Sequence, residues 1–203
     1  MGVTTSVTIH LGWDVPDRFR TAVADERPAL AEWHEQRAEE AGDLEMMTGS
    51  ERLEWRVASA KALAEERAAG RLLATQPAAV EWGARAELAE RGWDHPWPEV
   101  DDKARLRGRW PGSRDVGAPK VVVVNVDAAL AERVLAACWW TSVAAMTQIL
   151  AWRDAHPGLE YGSAMDGYDE LSAQVTTPGD IWRAAVRRYL AHHKEKISNL
   201  ISR

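Results

Sequence analysis

The sequence predicts a mostly α-helical protein with one or two short β-strands, which places it in the α+β class. Three observations predict this class. Segments with helical periodicity, bounded by Pro and Gly, fill most of the chain. Only residues 3–11 and 120–127 have the patterning or composition of strands. The composition, 46% hydrophobic and 28% charged over 203 residues, is typical of a soluble folded chain with a sizeable core.

The first predicted strand covers residues 3–11. Its apolar and polar residues alternate, so one face is expected to be buried and the other solvated. The apolar face carries Val7, Ile9 and Leu11, and the polar face carries Ser6, Thr8 and His10.

Four helices are predicted between this strand and residue 92. Pro near the first turn and Gly after the last mark several of their ends. The helices are expected to end at Ala24, to run from Pro28 to Gly42, from about Ser50 to Leu73, and from Pro77 to Gly92. One face of the third helix carries Leu53, Val57, Ala60, Ala64 and Arg67. Trp55 and Leu63 lie off this line, so the apolar face is broad or the helix is contacted on two sides. Residues 25–92 therefore predict a small helical bundle with an acidic surface.

Residues 93–119 predict a charged linker rich in Pro and Gly. Its second part is basic, with six Lys and Arg in the 18 residues from Lys103 to Lys120 and only Asp115 against them. We therefore divide the chain into an acidic, mainly helical region with an N-terminal strand (1–92), this linker (93–119) and a C-terminal module (120–203).

The C-terminal module is predicted to be a strand followed by two helices and then a long C-terminal helix. Asp127 ends the strand and caps the next helix, which runs to Trp140. Thr141 and Ser142 predict a turn before a second helix over 143–155. A short helix over 168–174 follows, and Thr177 is expected to cap the C-terminal helix. In the strand, Val122, Val124 and Val126 are expected to point inward, and Val121, Val123 and Asn125 outward.

Charge is distributed unevenly along the chain. The formal net charge is −6, yet residues 102–203 carry 14 Lys and Arg against 11 Asp and Glu, while residues 1–101 carry 11 against 20. This asymmetry favours an anionic partner for the back half, although a solvated linker that balances the acidic region explains the same basic stretch.

The basic stretch, the strand VVVVNVD and the helices after it resemble the ribbon-helix-helix DNA-binding family. The segment TPGDIWRAAVRRYLAHH also looks like that family's second helix. The resemblance implies a dimer whose paired strands form an antiparallel ribbon in the major groove of double-stranded DNA. The two strands of this chain can instead pair with each other in one sheet, and the sequence leaves both arrangements open.

On this interpretation a set of cationic and amide side chains contacts DNA. The predicted contacts are Lys103, Arg105, Arg107, Arg109, Arg114, Lys120, Asn125, Arg187 and Arg188. The leading hypothesis is a dimeric DNA-binding protein with a regulatory or partition-like role. Alternatives are a helical interaction or scaffold protein that binds a protein partner, and a small enzyme whose site has no recognised motif.

Several other features narrow the possibilities. The single Cys138 excludes an internal disulfide, and no phosphate-binding loop, zinc motif or hydrolase motif is present, so neither a cofactor nor a metal is expected and an enzyme is disfavoured. The N-terminus lacks a signal peptide pattern and no run of about 18 apolar residues occurs, so a cytoplasmic protein without a membrane span is expected. The Arg and Ala bias is typical of bacteria with GC-rich genomes. Four of the 11 Trp lie in predicted loops, where exposed rings favour an interface: Trp13, Trp93, Trp97 and Trp110.

Overall fold

The structure is a computed structural model and describes residues 3–42, 45–100, 102, 110–113, 117–157 and 167–202. The predicted class is confirmed, since helices dominate and the described strands form one two-stranded sheet. The strands are β1 (Thr4–Leu11) and β2 (Lys120–Asp127). The helices are α1 (Val15–Asp25), α2 (Arg27–Ala41), α3 (Gly49–Ala68), α4 (Gln76–Glu90), α5 (Ala128–Ala155), α6 (Tyr168–Ala173) and α7 (Pro178–Ile201).

β1 and β2 pair with each other in an antiparallel ribbon. The register places Thr4 opposite Asp127 and Leu11 opposite Lys120. The predicted alternation is confirmed in both strands, because Ile9, Leu11, Val122, Val124 and Val126 are buried and Val7 is half-buried. The two strands are separated by more than 100 residues of chain, so this pairing joins the N-terminal and C-terminal regions into one structure.

One hydrophobic core lies against the inward face of this ribbon. It combines side chains from α1, α4, α5 and α7 with the buried residues of both strands. At its centre, Phe19 of α1 meets Tyr189 of α7 edge to face, with ring centroids 5.6 Å apart. Described residues of the N-terminal region and of the C-terminal module therefore contribute to one core.

Helices α4 and α7 approach each other closely at a glycine. A Cβ atom placed on Gly83 would lie 2.3 Å from the carbonyl oxygen of Ala185, a distance that side chains do not tolerate. Small residues at helix crossings allow backbones to come this close. Gly83 therefore sets the spacing between the two helices that cover the ribbon.

The turn predicted at Thr141 and Ser142 is wrong, because α5 runs without interruption from Ala128 to Ala155. Thr141 stays helical by donating its hydroxyl to the Ala137 carbonyl at 2.7 Å, one turn earlier. Ser142 is buried, accepts a hydrogen bond from the Thr176 N–H at 2.9 Å and donates to the Thr176 carbonyl at 3.2 Å. Both polar side chains therefore find hydrogen-bond partners without ending the helix. As a result, β2 is followed by one long helix instead of a helix pair.

The helical bundle predicted for residues 25–92 is also incomplete. Neither α2 nor α3 has a buried residue. In addition, α3 ends at Ala68, before Gly70 takes a φ of +77°, so that Leu72 and Leu73 leave the helix and enter buried positions. The four apolar residues on the predicted face of α3 are exposed, and a different face of the same helix is half-buried.

Among the described helices, α5 alone is long and apolar enough to cross a membrane by length and composition, with a mean hydropathy of 1.5 in its most apolar window. Core helices of soluble proteins meet the same criterion. Leu130, Val134 and Cys138 of α5 belong to the core that it shares with the ribbon.

Candidate nucleic-acid interface

The outward face of the β1–β2 ribbon carries Asn125, one of the two predicted DNA contacts of β2. Side chains of a strand alternate between its faces, so the polar residues of β1 and the outward residues of β2 share one surface. The register pairs Ser6 with Asn125, Thr8 with Val123 and His10 with Val121. All six side chains are exposed. We call these six residues the ribbon face.

The polar end of the ribbon face is ordered by a cross-strand hydrogen bond. The Ser6 hydroxyl donates to Oδ1 of Asn125 at 2.6 Å. A carboxamide oxygen has a second lone pair and its nitrogen carries two donors. Within the described residues the Asn125 nitrogen has no hydrogen-bond partner, so this side chain presents both a donor and an acceptor to an external molecule.

The other end of the ribbon face is more apolar. Val121 is 47% and Val123 is 60% exposed, although valines of a two-stranded sheet are usually covered. At this end the Lys120 ammonium lies 4.6 Å from the centroid of the exposed Trp13 ring, a cation–π contact. The ribbon face therefore combines hydrogen-bonding groups with two exposed valines, while Lys120 lies at the end of β2 in register with the inward Leu11.

The ribbon is held firmly at its Asp127 end. The Asp127 side chain accepts from the Leu130 N–H at 2.8 Å and caps α5, while its own N–H donates to Glu81 of α4 at 2.8 Å. The Ala128 N–H donates to the Val3 carbonyl at 2.9 Å. These contacts tie the strands to two helices and fix the orientation of the ribbon face.

The structure brings together some of the predicted contacts and separates others. Lys120 and Asn125 lie on the ribbon. Arg187 and Arg188 lie on α7, and this helix packs against the inward face of the ribbon. Arg187 is exposed. Arg188 is engaged by two acidic residues of α4, since its guanidinium donates to Glu87 at 3.2 Å and also to Glu90. The remaining predicted contacts lie outside the described residues: Lys103, Arg105, Arg107, Arg109 and Arg114.

Three of the four loop tryptophans are not exposed as expected. Trp93, Trp97 and Trp110 are partly buried and pack against the core. Trp110 meets Trp139 of α5 edge to face at 5.7 Å. Of the four loop tryptophans, Trp13 alone is largely exposed, at 71%, and is available for an interface.

Sequence reasoning missed a buried polar cluster between α1 and α7. Glu26 is only 3% exposed and accepts from the Lys196 ammonium at 2.9 Å. His193 lies between two carboxylates, with Nε2 3.4 Å from Asp25 and Nδ1 3.6 Å from Glu26. Burial, followed by the negative charges of Glu26 and Asp25, raises the pKa of the Tyr189 hydroxyl nearby. No sequence signal marked Glu26 or its contacts with the C-terminal helix.

The thiol of Cys138 and the imidazole of His95 are side chains that can serve catalysis or metal binding, and both lie in the described part of the chain. Cys138 is fully buried, and burial followed by the charge of Asp180 raises the pKa of its thiol, which disfavours the reactive thiolate. His95 is exposed and stacks on Trp97 with centroids 4.2 Å apart. No group of three or more His, Cys, Asp or Glu among the described residues is arranged to hold a metal ion.

No family model, no curated protein and no solved structure matches the chain.

Proposed function

We propose that this protein binds double-stranded DNA and that the ribbon face enters the major groove. The observation that carries the proposal is the ribbon itself, an exposed antiparallel pair of strands that presents Ser6, Thr8 and Asn125 on one surface. Two strands lie about 4.8 Å apart, and the major groove is about 12 Å wide, so a two-stranded ribbon fits within it. The pairing within one chain means that each monomer carries a complete ribbon.

The side chains of the ribbon face match the chemistry of base edges. A carboxamide such as Asn125 can donate to and accept from adenine, and hydroxyls such as Ser6 and Thr8 bond to several bases. The exposed methyl groups of Val121 and Val123 suit contact with the thymine methyl. Base discrimination in this proposal comes from the ribbon face and not from α7.

Phosphate binding is assigned to the basic stretch that leads into β2. The residues from Lys103 to Lys120 contain six cations in a segment that enters the ribbon directly. Each neutralised phosphate releases counterions, so affinity falls steeply with salt. Arg187 and Arg188 are left out, because α7 packs on the inward side of the ribbon and Glu87 and Glu90 already hold Arg188. We include a regulatory or partition-like role for the DNA-bound protein in this proposal.

The proposal is tested by fluorescence anisotropy with labelled duplex DNA. We expect binding at about 50 mM salt that weakens as salt rises, with a slope reduced by the charge reversals Arg105→Glu, Arg107→Glu and Arg109→Glu. On a selected site, Asn125→Ala is expected to weaken binding by about 1–3 kcal/mol. The matched control is Gln148→Ala, which removes an exposed amide from α5 and leaves the ribbon unchanged. Absence of binding at about 50 mM salt contradicts the proposal, because phosphate contacts dominate there.

A protein-binding role is the second candidate, and the exposure of Val121 and Val123 favours it. Adjacent apolar side chains on a flat sheet are typical of surfaces that bury against a protein partner. Val121→Thr with Val123→Thr separates the two functions. The double variant should still bind duplex DNA, with reduced affinity. It should no longer bind a partner protein that packs on the valines.

A further inference from the structure

Helix α3 has two faces that differ in their surroundings. The face that contains Trp55, Ser59 and Leu63 is half-buried. The other face carries Leu53, Val57, Ala60 and Ala64, all of them exposed, and the first two are 63% and 62% exposed. The spacing along this second face alternates between four and three residues, as in the seam of a coiled coil. We call these four residues the α3 seam.

The C-terminal half of the α3 seam borders an open groove. A cavity of about 580 Å³ lies between α3 and α4. Ala60, Ala64 and Ala68 line it from α3, and Ala78 and Trp82 line it from α4. The α3 wall consists of these alanines and Arg67, whereas the α4 wall also carries Glu81 and Arg85. The alanines of α3 leave room for larger side chains from outside, and Leu53 and Val57 at the other end of the seam are large and exposed.

We propose that the occupant of this surface is a second copy of the same chain, whose α3 packs antiparallel on the α3 seam. In this orientation Leu53 of one copy lies opposite Ala64 of the other, and Val57 lies opposite Ala60. Each layer joins a large side chain to a small one, and each Leu53 fills part of the groove beside Ala64. The exposed residues of one copy therefore match the space left by the other.

Charge complementarity supports the antiparallel orientation. Glu54 and Lys61 occupy equivalent flanking positions seven residues apart, on the same side of the α3 seam. Antiparallel packing sets Glu54 of each copy beside Lys61 of the other and forms two symmetric pairs. A two-fold axis between the helices requires such self-complementarity. The dimer would be independent of DNA binding, because the ribbon face is formed by β1 and β2 and the α3 seam by α3.

The dimer is tested by sedimentation equilibrium of the full chain over a range of concentrations. We expect a reversible dimer whose dissociation constant rises at least about tenfold in Leu53→Glu, since the apolar burial of this side chain is lost. The matched control is Leu200→Glu, which changes another leucine of similar exposure near the end of α7 and should leave the dimer intact. Circular dichroism confirms folding, which neither change should disturb because both leucines are exposed.

Exchange of the charges at Glu54 and Lys61 tests whether the dimer forms through the α3 seam. Glu54→Lys and Lys61→Glu should each weaken the dimer, because each creates two like-charge contacts. An equimolar mixture of these two single variants should form heterodimers, and the double variant should recover self-association. A wild-type protein that remains monomeric up to about 100 µM overturns the proposal, because a specific interface associates well below that concentration. A dimer that is unaffected by Leu53→Glu also overturns it.

Discussion

At the scale of single residues, the most exceptional group is the buried carboxylate of Glu26. A charged group in the interior is stable only when a partner compensates for its lost hydration. Lys196 provides that partner at 2.9 Å and also donates to the Arg71 carbonyl at 3.0 Å. One oxygen of Glu26 and Nδ1 of His193 have no hydrogen bond among the described residues, so the cluster depends strongly on the lysine.

Replacement of Lys196 by Met is therefore expected to reduce the free energy of unfolding by about 2 kcal/mol. This value lies below that for a fully buried pair because about a third of the lysine side chain is exposed. Urea denaturation measures the change, with Lys194→Met as the control because Lys194 is exposed on the same helix. Equal losses in the two variants would show that Glu26 does not need the ion pair.

At the scale of elements, the termini of the helices show how local sequence determines structure. Thr177 and Asp180 form a capping box at the start of α7, in which each side chain accepts from the backbone N–H of the other. Burial alone would raise the pKa of Asp180, but hydrogen bonds from Thr177 and the Arg183 guanidinium lower it overall. The charged form is therefore favoured in the folded protein.

Replacement of Asp180 by Asn is expected to cost about 1 kcal/mol at neutral pH through the weakened cap. Because the folded pKa of Asp180 is lowered, its stabilising contribution is present above its unfolded value of about 3.9 and is lost as the pH falls through the lower folded value. The wild type should therefore lose more stability than the variant between pH 5 and pH 2, by the order of 1 kcal/mol. Urea denaturation at several pH values tests this, and parallel pH profiles would contradict it.

The crossing of α4 and α7 provides a second prediction at this scale. Gly83→Ala places a methyl group against the Ala185 backbone, so the two helices must separate and the core loosens. We expect a loss of about 2–3 kcal/mol in the free energy of unfolding. Gly49→Ala, a substitution at the start of α3 where the added Cβ meets open space, should change stability by less than about 1 kcal/mol. Chemical denaturation of both variants compares them, and similar effects would exclude a steric role for Gly83.

The sequence predicted most elements because their signals are local. The alternation in β1, the boundaries of β2 and the Thr177 cap all depend on neighbouring residues. The continuity of α5 was missed because Ser142 is satisfied by Thr176, a residue 34 positions away that no local pattern reveals. The sequence identified the residues of the α3 seam but not their exposure. Periodicity identifies an apolar face of a helix but not whether another element covers it.

At the scale of the whole molecule, ion pairs between the N-terminal and C-terminal regions partly neutralise the charge asymmetry of the sequence. Cations of the C-terminal helix pair with acidic residues of the N-terminal region, as in the contacts of Arg188 with Glu87 and of Lys196 with Glu26. His192 also contacts the N-terminal region, since Nε2 lies 3.0 Å from the Gly70 carbonyl oxygen and its ring centroid lies 4.6 Å from that of Trp82. The sequence could not distinguish these cations from cations reserved for a partner, because both appear as basic residues on a helix. The structure therefore leaves Asn125 of β2 exposed, whereas it engages Arg188 of α7 with two acidic residues of α4.

The molecule as a whole presents one exposed ribbon whose orientation is fixed by α4 and α5. If that ribbon binds DNA, a negative charge at its centre must repel the phosphates and exclude it from the groove. Val123 occupies this position, opposite Thr8, and its side chain is 60% exposed, so a substitution there leaves the core intact.

The most direct test is the affinity of Val123→Glu for duplex DNA, measured by fluorescence anisotropy across a salt series. The control is Leu200→Glu, which adds the same charge at an exposed site on α7. We predict that Val123→Glu loses at least about tenfold in affinity at 50 mM salt, while Leu200→Glu binds like the wild type. Equal affinities for the two variants, or no binding by the wild type at that salt concentration, would contradict DNA recognition by the ribbon face.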